Sequence, residues 1–256
     1  MPSALVDLTV EGHIATITLA VPGALLDRAA SEALADAARA VAEATEVRAV
    51  VVRSAADDFG RGWTAEALVE PEGITGLPPL ADGIEALAAV PQPTIAAVAG
   101  AAHSAGLEVA LACDVRIAAE DATFAMPDTA AGSVPRGGGT QRLPRAVGRA
   151  QALRLLLTGE VIDAAEARRI GLVSRVVPSG GTSLADAARA LAETIASRGP
   201  IATRLAKEAV HRGAELTLEQ ALRYETDLTV ILQSTADRAE GVRAFQEKRE
   251  PRFLGE

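Results

Sequence analysis

The segment Thr94–Asp114, TIAAVAGAAHSAGLEVALACD, puts one carboxylate, Glu108, at the start of a helix directly after a cluster of small residues. Gly100, Ala101, Ala102, Ser104, Ala105 and Gly106 permit a tight turn in which main-chain groups approach a ligand closely. A helix starting there offers unpaired N–H groups and the positive end of its dipole, so the turn can bind an anion without a charged side chain. The oxyanion of an activated acyl group is such an anion.

Three readings of this turn compete. Ala102-His103-Ser104-Ala105-Gly106 is one residue short of the G-x-S-x-G elbow, which would make Ser104 a nucleophile. That chemistry needs an acid and then a histidine downstream, and the histidine that follows, His211, lies inside the helical pattern LAKEAVHRG. Ser104 therefore reads better as a small turn residue. Gly60-Arg61-Gly62-Trp63-Thr64-Ala65 fits the G-x-G-x-x-A of a dinucleotide fold, but Pro71, Gly73, Gly76, Pro78 and Pro79 stand where the next strand and its ribose-binding acid belong. In the third reading the loop at Gly62 and the turn at Ala105 are two halves of one anion site, each giving a main-chain N–H to the same carbonyl oxygen.

The elements that would position these residues follow from periodicity. Residues 4–20 alternate as two strands around a turn at Glu11-Gly12-His13, Ser31–Ala44 reads as a helix, and Val47–Arg53 as a buried strand. Loops are expected over Asp57–Ala65 and Pro71–Pro79, and a short helix near Leu80–Ala89. Ile95–Val98 is an apolar run of the kind found in strands covered on both faces. Val115–Ala119 and Ala122–Ala125 read as strands, and Gly132–Gly139 as a loop opening onto a helix near Thr140. Asp163 and Glu166 stand at capping-box spacing with Gly171 as the stop, and Leu172–Val177 is a last strand. Beyond Ser183 the pattern is helical, with Pro200 suited to a first helical position and Thr217 and Gln220 forming another capping box. Alternating strands and helices followed by helices alone make an α/β core with a helical C-terminal extension.

Bulk composition narrows the function classes. The 256 residues can bury a large core, and 49% are apolar while 2% are aromatic, which leaves little for base stacking. A formal charge of −9, from 34 acids against 25 bases, and the lack of a Lys/Arg run argue against nucleic acid as a partner. Cys113, the single cysteine, cannot form an internal disulfide, so a reducing cytoplasm fits. The opening MPSALVDLTVEGHI lacks the pattern of a secretory leader, and His103 and Glu108 interrupt the longest apolar stretch, so no membrane span is expected.

From Ile95 to Pro178 the chain resembles the enoyl-CoA hydratase/isomerase family, or crotonase superfamily. The resemblance lies in IAAVAG, GLEVALACDVRIAAEDATFAMPD, GGGTQRLPRAVG and LLLTGEVIDAAEARRIGLVSRVVP, and in the terminal EGVRAFQEKREPRF. It implies stacked β-β-α turns in a core of residues 1–198, and a helical region, 199–256, that supports a homotrimer or a dimer of trimers. It implies an acyl-CoA thioester as substrate, coenzyme A entering as part of that substrate, and neither a further cofactor nor a metal. The family's oxyanion-hole amides fall on Arg61 and Ala105, beside Gly62 and Gly106, and its two hydratase carboxylates on Glu108 and Asp128. Gly62, Gly106, Gly137, Phe245 and Lys248 fall at substrate-binding positions, the last two on coenzyme A contacts often made from the adjacent subunit.

Independent chemistry agrees with the carboxylate pair. Glu108 sits among Leu107, Val109 and Leu111, and Asp128 follows Met126-Pro127, apolar settings that disfavour an ionised carboxylate. Two such groups flanking one water can share its activation, which points to hydration of a 2-enoyl-CoA to a 3-hydroxyacyl-CoA. Double-bond isomerisation, thioester hydrolysis and carbon–carbon cleavage stay open, as does an acyl-CoA-binding protein without catalysis. Several positions depart from the family pattern: Asp128 stands for a glutamate, Ser104-Ala105-Gly106 for a glycine triplet, Arg61 for a small residue, Thr64 for an acid, and Val21–Leu25 lacks an expected asparagine. The Arg61 side chain is expected to meet a substrate carboxylate or a coenzyme A phosphate.

Overall fold

A computed structural model describes residues 5–68, 80–178 and 183–256. The loop read over Pro71–Pro79 lies outside the described residues. In chain order the first half holds β1 (Val6–Glu11), β2 (Ile14–Leu19), β3 (Leu25–Leu26), α1 (Arg28–Glu43), β4 (Ala49–Ser54), β5 (Gly62–Trp63), α2 (Ala65–Leu68) and α3 (Asp82–Ala88). Then come β6 (Thr94–Val98), β7 (Ala101–His103), α4 (Ala105–Ala112), β8 (Val115–Ala119), β9 (Thr123–Ala125), a 3₁₀ turn (Pro127–Ala131), α5 (Gly139–Val147) and α6 (Arg149–Thr158). The chain finishes with β10 (Ile162–Asp163), α7 (Ala164–Arg169), β11 (Arg175–Val177), α8 (Leu184–Ala196), α9 (Pro200–Gly213), α10 (Leu218–Gln233) and α11 (Ala236–Glu247).

The main sheet runs β1-β2-β4-β6-β8-β11, antiparallel at the β1–β2 hairpin and parallel beyond it. Its central strands feed two cores by simple alternation: Val50, Val52, Ala96 and Val98 face the larger one, while Ala49, Val51, Ile95 and Ala97 face α8 through Ala187, Ala188 and Ala192. A second sheet, β10-β9-β7, and the pair β3-β5 lie beside the main one. Helix α1 starts a turn earlier than the Ala-rich pattern implied, because the Asp27 carboxylate accepts the Ala30 N–H at 2.7 Å and caps it there.

Local signals at the C-terminal end divide. Thr217 and Gln220 make a complete capping box on α10, and Pro200 opens α9. At α7 only half of the expected box forms: Asp163 accepts the Glu166 N–H, but the Glu166 carboxylate turns to Arg154 and Arg169. Helix α9 is tied to the core by Lys207 and His211, which both reach the Asp114 carboxylate, at 2.7 and 2.8 Å. Cys113, the residue that ends α4, is buried, and burial pushes its thiol up to about 12. Among the described residues no helix is long and apolar enough to cross a membrane.

Candidate active site

Two distant stretches of backbone meet where the turn was expected. Gly60 donates its N–H to Ala101 O at 2.9 Å and accepts the His103 N–H at 2.8 Å, so the Gly60–Gly62 loop runs as a rung beside Ala101–His103. Ala101–His103, expected as part of the turn, is instead the strand β7, paired with β9. A Cβ on Gly106 would overlap the Gly60 carbonyl, so the close approach of the two segments requires glycine there. Gly62 lies against Ser104, whose Cβ is 3.5 Å from where a side chain on Gly62 would begin.

Ser104 precedes α4 at φ 47°, ψ −119°, and although it occupies the N-cap position its hydroxyl does not cap the helix. The Oγ–H is given instead to Asp128 Oδ1 at 2.7 Å, reaching the 3₁₀ turn 24 residues away. The first-turn N–H groups of α4, Ala105 among them, are thereby left without a side-chain cap, as an anion site needs. Ser104 has no histidine partner: His103 meets Thr123 and His211 meets Asp114, so the nucleophile reading has no triad.

Glu108, in the first turn of α4, is completely buried. Its Oε1 accepts main-chain N–H groups from Gly137 at 2.7 Å and Gly139 at 2.8 Å. Gly137 was expected at substrate; its amide is committed to Glu108. A Cβ on Gly137 would come within 2.9 Å of Glu108 Oε2, and one on Gly139 within 3.1 Å of Oε1, so the glycine run lets backbone approach the carboxylate. Arg142, from α5, holds the loop by donating to Gly137 O.

Burial raises the Glu108 pKa to about 7. The two glycine amides and the Arg142 charge oppose the shift, and the Asp128 charge adds to it. Glu108 Oε2 and Asp128 Oδ2 are both buried and have no hydrogen-bond partner among the described residues. Each carboxyl group is thus held by one oxygen and leaves the other unengaged. Among the described residues no cluster of His, Cys, Asp or Glu is arranged to hold a metal ion.

The Arg61 N–H donates to Ala24 O at 2.7 Å, which commits the amide expected to face a substrate oxygen. The Arg61 side chain pairs with Asp58, whose other oxygen accepts the Ala101 N–H at 2.7 Å. Phe245, 85% exposed, and Lys248, which ends α11, make no hydrogen bond or ion pair with the Glu108 region among the described residues. Gly139, Arg142 and the Ser104 link to Asp128 were not singled out from sequence. The three glycines preceding Thr140 were the available sign of a main-chain cradle.

Known proteins resemble this chain over most of its length. A model of the family described as enoyl-CoA hydratase/isomerase matches residues 9–256. The chain is 42% identical over 251 residues to a probable enoyl-CoA hydratase of Mycobacterium bovis, covering 94% of each chain. It is 39% identical over 255 residues to the (E)-benzylidenesuccinyl-CoA hydratase of Thauera aromatica, covering 98% of this chain and 99% of that one. The crystal structure of an enoyl-CoA hydratase from Bacillus anthracis superposes with a TM-score of 0.92 at 36% identity, over 98% of this chain and 100% of that one. The chain therefore belongs to the enoyl-CoA hydratase/isomerase family, the crotonase superfamily that its sequence motifs resemble, and is an enzyme of hydratase/isomerase type.

Proposed function

We propose that this enzyme adds water across the double bond of a 2-enoyl-CoA to give a 3-hydroxyacyl-CoA, with Glu108 and Asp128 as its acid–base pair. The carrying observation is the pair of unengaged buried oxygens, Glu108 Oε2 and Asp128 Oδ2, whose partner oxygens are fixed from separate elements. A water held between them would lose a proton to one carboxylate as its oxygen bonds to the β-carbon. The other carboxyl group would deliver a proton to the α-carbon. With a pKa of about 7, Glu108 exchanges protons readily at neutral pH. The negative charge that develops on the thioester oxygen would be met by the Ala105 N–H at the start of α4. Arg61 can serve as the second donor only if the substrate carbonyl displaces Ala24 O.

The relatives named as hydratases support the same reading. Coenzyme A would enter with the substrate, and the step needs no other cofactor. A homotrimer or dimer of trimers, assembled through residues 199–256, belongs to the proposal, supported by exposed Val210, Leu218, Leu222 and Val230 on α9 and α10. A cytoplasmic location is supported by the single buried thiol.

The test is a panel of neutral and carboxylated 2-enoyl-CoAs with products read by mass. A gain of one water is expected, and Glu108→Gln should lower turnover by roughly 100- to 10,000-fold. Turnover by the variant at the wild-type rate, or products of isomerisation, thioester hydrolysis or chain cleavage instead, would overturn the assignment.

A further inference from the structure

We propose that Ser104 is a positioning residue for the Asp128 carboxylate, and that the aim of Asp128 toward the reacting water depends on its hydroxyl. The inference rests on the hydration reading above and deepens it.

Three observations converge on the serine. Its Oγ–H is donated to Asp128 Oδ1 at 2.7 Å, joining the entrance of α4 to the 3₁₀ turn. Oδ2 of the same carboxylate is buried without a partner, so the contact divides the two oxygens of Asp128 into one that is held and one that is presented. Asp128 has a single methylene between Cα and its carboxyl group, and a fixed partner on Oδ1 stops that group from turning.

The second observation is conformational. Ser104 stands at φ 47°, ψ −119°, a region that side chains disfavour and glycine enters freely. A glycine would relieve the backbone there but could not supply the hydroxyl. The third is what the hydroxyl leaves undone: a serine at the start of a helix ordinarily accepts from the helix's own N–H groups, and this one does not. Its bond to Asp128 thus takes the place of capping and leaves the α4 amides open to the substrate oxygen.

The role predicts a separation between stability and turnover. Ser104→Gly removes the hydroxyl and the backbone constraint together, so its melting temperature should equal or exceed that of the wild type. Its kcat for a 2-enoyl-CoA should nevertheless fall roughly 10- to 100-fold, as expected when a catalytic group is misaimed, with KM within about twofold. Ser104→Ala, which keeps the Cβ, should show the same loss of kcat. Because the hydroxyl acts through Asp128, adding Ser104→Ala to Asp128→Asn should cost no further kcat, a non-additive cycle. Wild-type kcat in both serine variants, or an equal further loss on the Asp128→Asn background, would overturn the positioning role while leaving hydration standing. A wild-type enzyme that forms no 3-hydroxyacyl-CoA from any member of the panel would overturn both.

Discussion

Glu108 carries the clearest consequence at the scale of single residues. Its carboxyl group titrates near 7 in the fold and near 4.5 in an unfolded chain, so between these values the folded form retains a proton that the unfolded form has released. The contribution to stability is complete below about pH 4.5, is lost as pH rises toward 7, and stays lost above it. Glu108→Gln is neutral throughout, so its stability relative to wild type should grow with pH across that window and level off at a gain of order 3 kcal/mol or less. Thermal unfolding of both proteins at pH 5, 6, 7 and 8 measures this; a pH-independent difference would contradict the buried-carboxyl picture. The identity of this residue was legible in sequence, because a lone acid among Leu107, Val109 and Leu111 stands in a helix apolar on every side, and all of α4 is buried. Its partners were not. Gly137 and Gly139 act through main-chain amides 29 and 31 residues away, and an amide donor leaves no side-chain signature.

Among the elements, the junction of the Gly60–Gly62 loop with the start of α4 is the least forgiving. Gly106→Ala would place a methyl group against the Gly60 carbonyl, backbone against backbone, so neither side can rotate away. Chemical denaturation should show a loss of at least about 2 kcal/mol, whereas Gly132→Ala, with open space around its Cβ, should cost less than Gly106→Ala despite its positive φ. The longer elements were readable: the β1–β2 hairpin, β4, β6 and β8 follow from apolar runs and alternation, and α10 from its capping box. The short ones were not. β3 and β5 are two residues each, and β7 is built of Ala101, Ala102 and His103, which carry no strand pattern and are held in place by Gly60 and β9. Asp163 marked the start of α7, but Glu166 found cations closer to hand than the cap, a tertiary competition invisible to local spacing.

Across the whole molecule, family motifs carried the architecture. Self-assembly is not encoded in any single pattern. If residues 199–256 join subunits, replacing Leu222 and Val230 together by aspartate should reduce the mass measured by light scattering while circular dichroism stays unchanged; an unaltered mass would exclude this face from the assembly. Cys113 offers a different kind of measurement. It closes the helix that begins at Ala105 and bears Glu108, and its thiol is both shielded and held in the unreactive protonated form. A disulfide reagent added to native enzyme can therefore modify it only during excursions in which that helix lifts from its bed. The chain carries a built-in stopwatch: the labelling half-time counts how often α4 breathes, and a thioester bound against that helix as proposed should slow the clock.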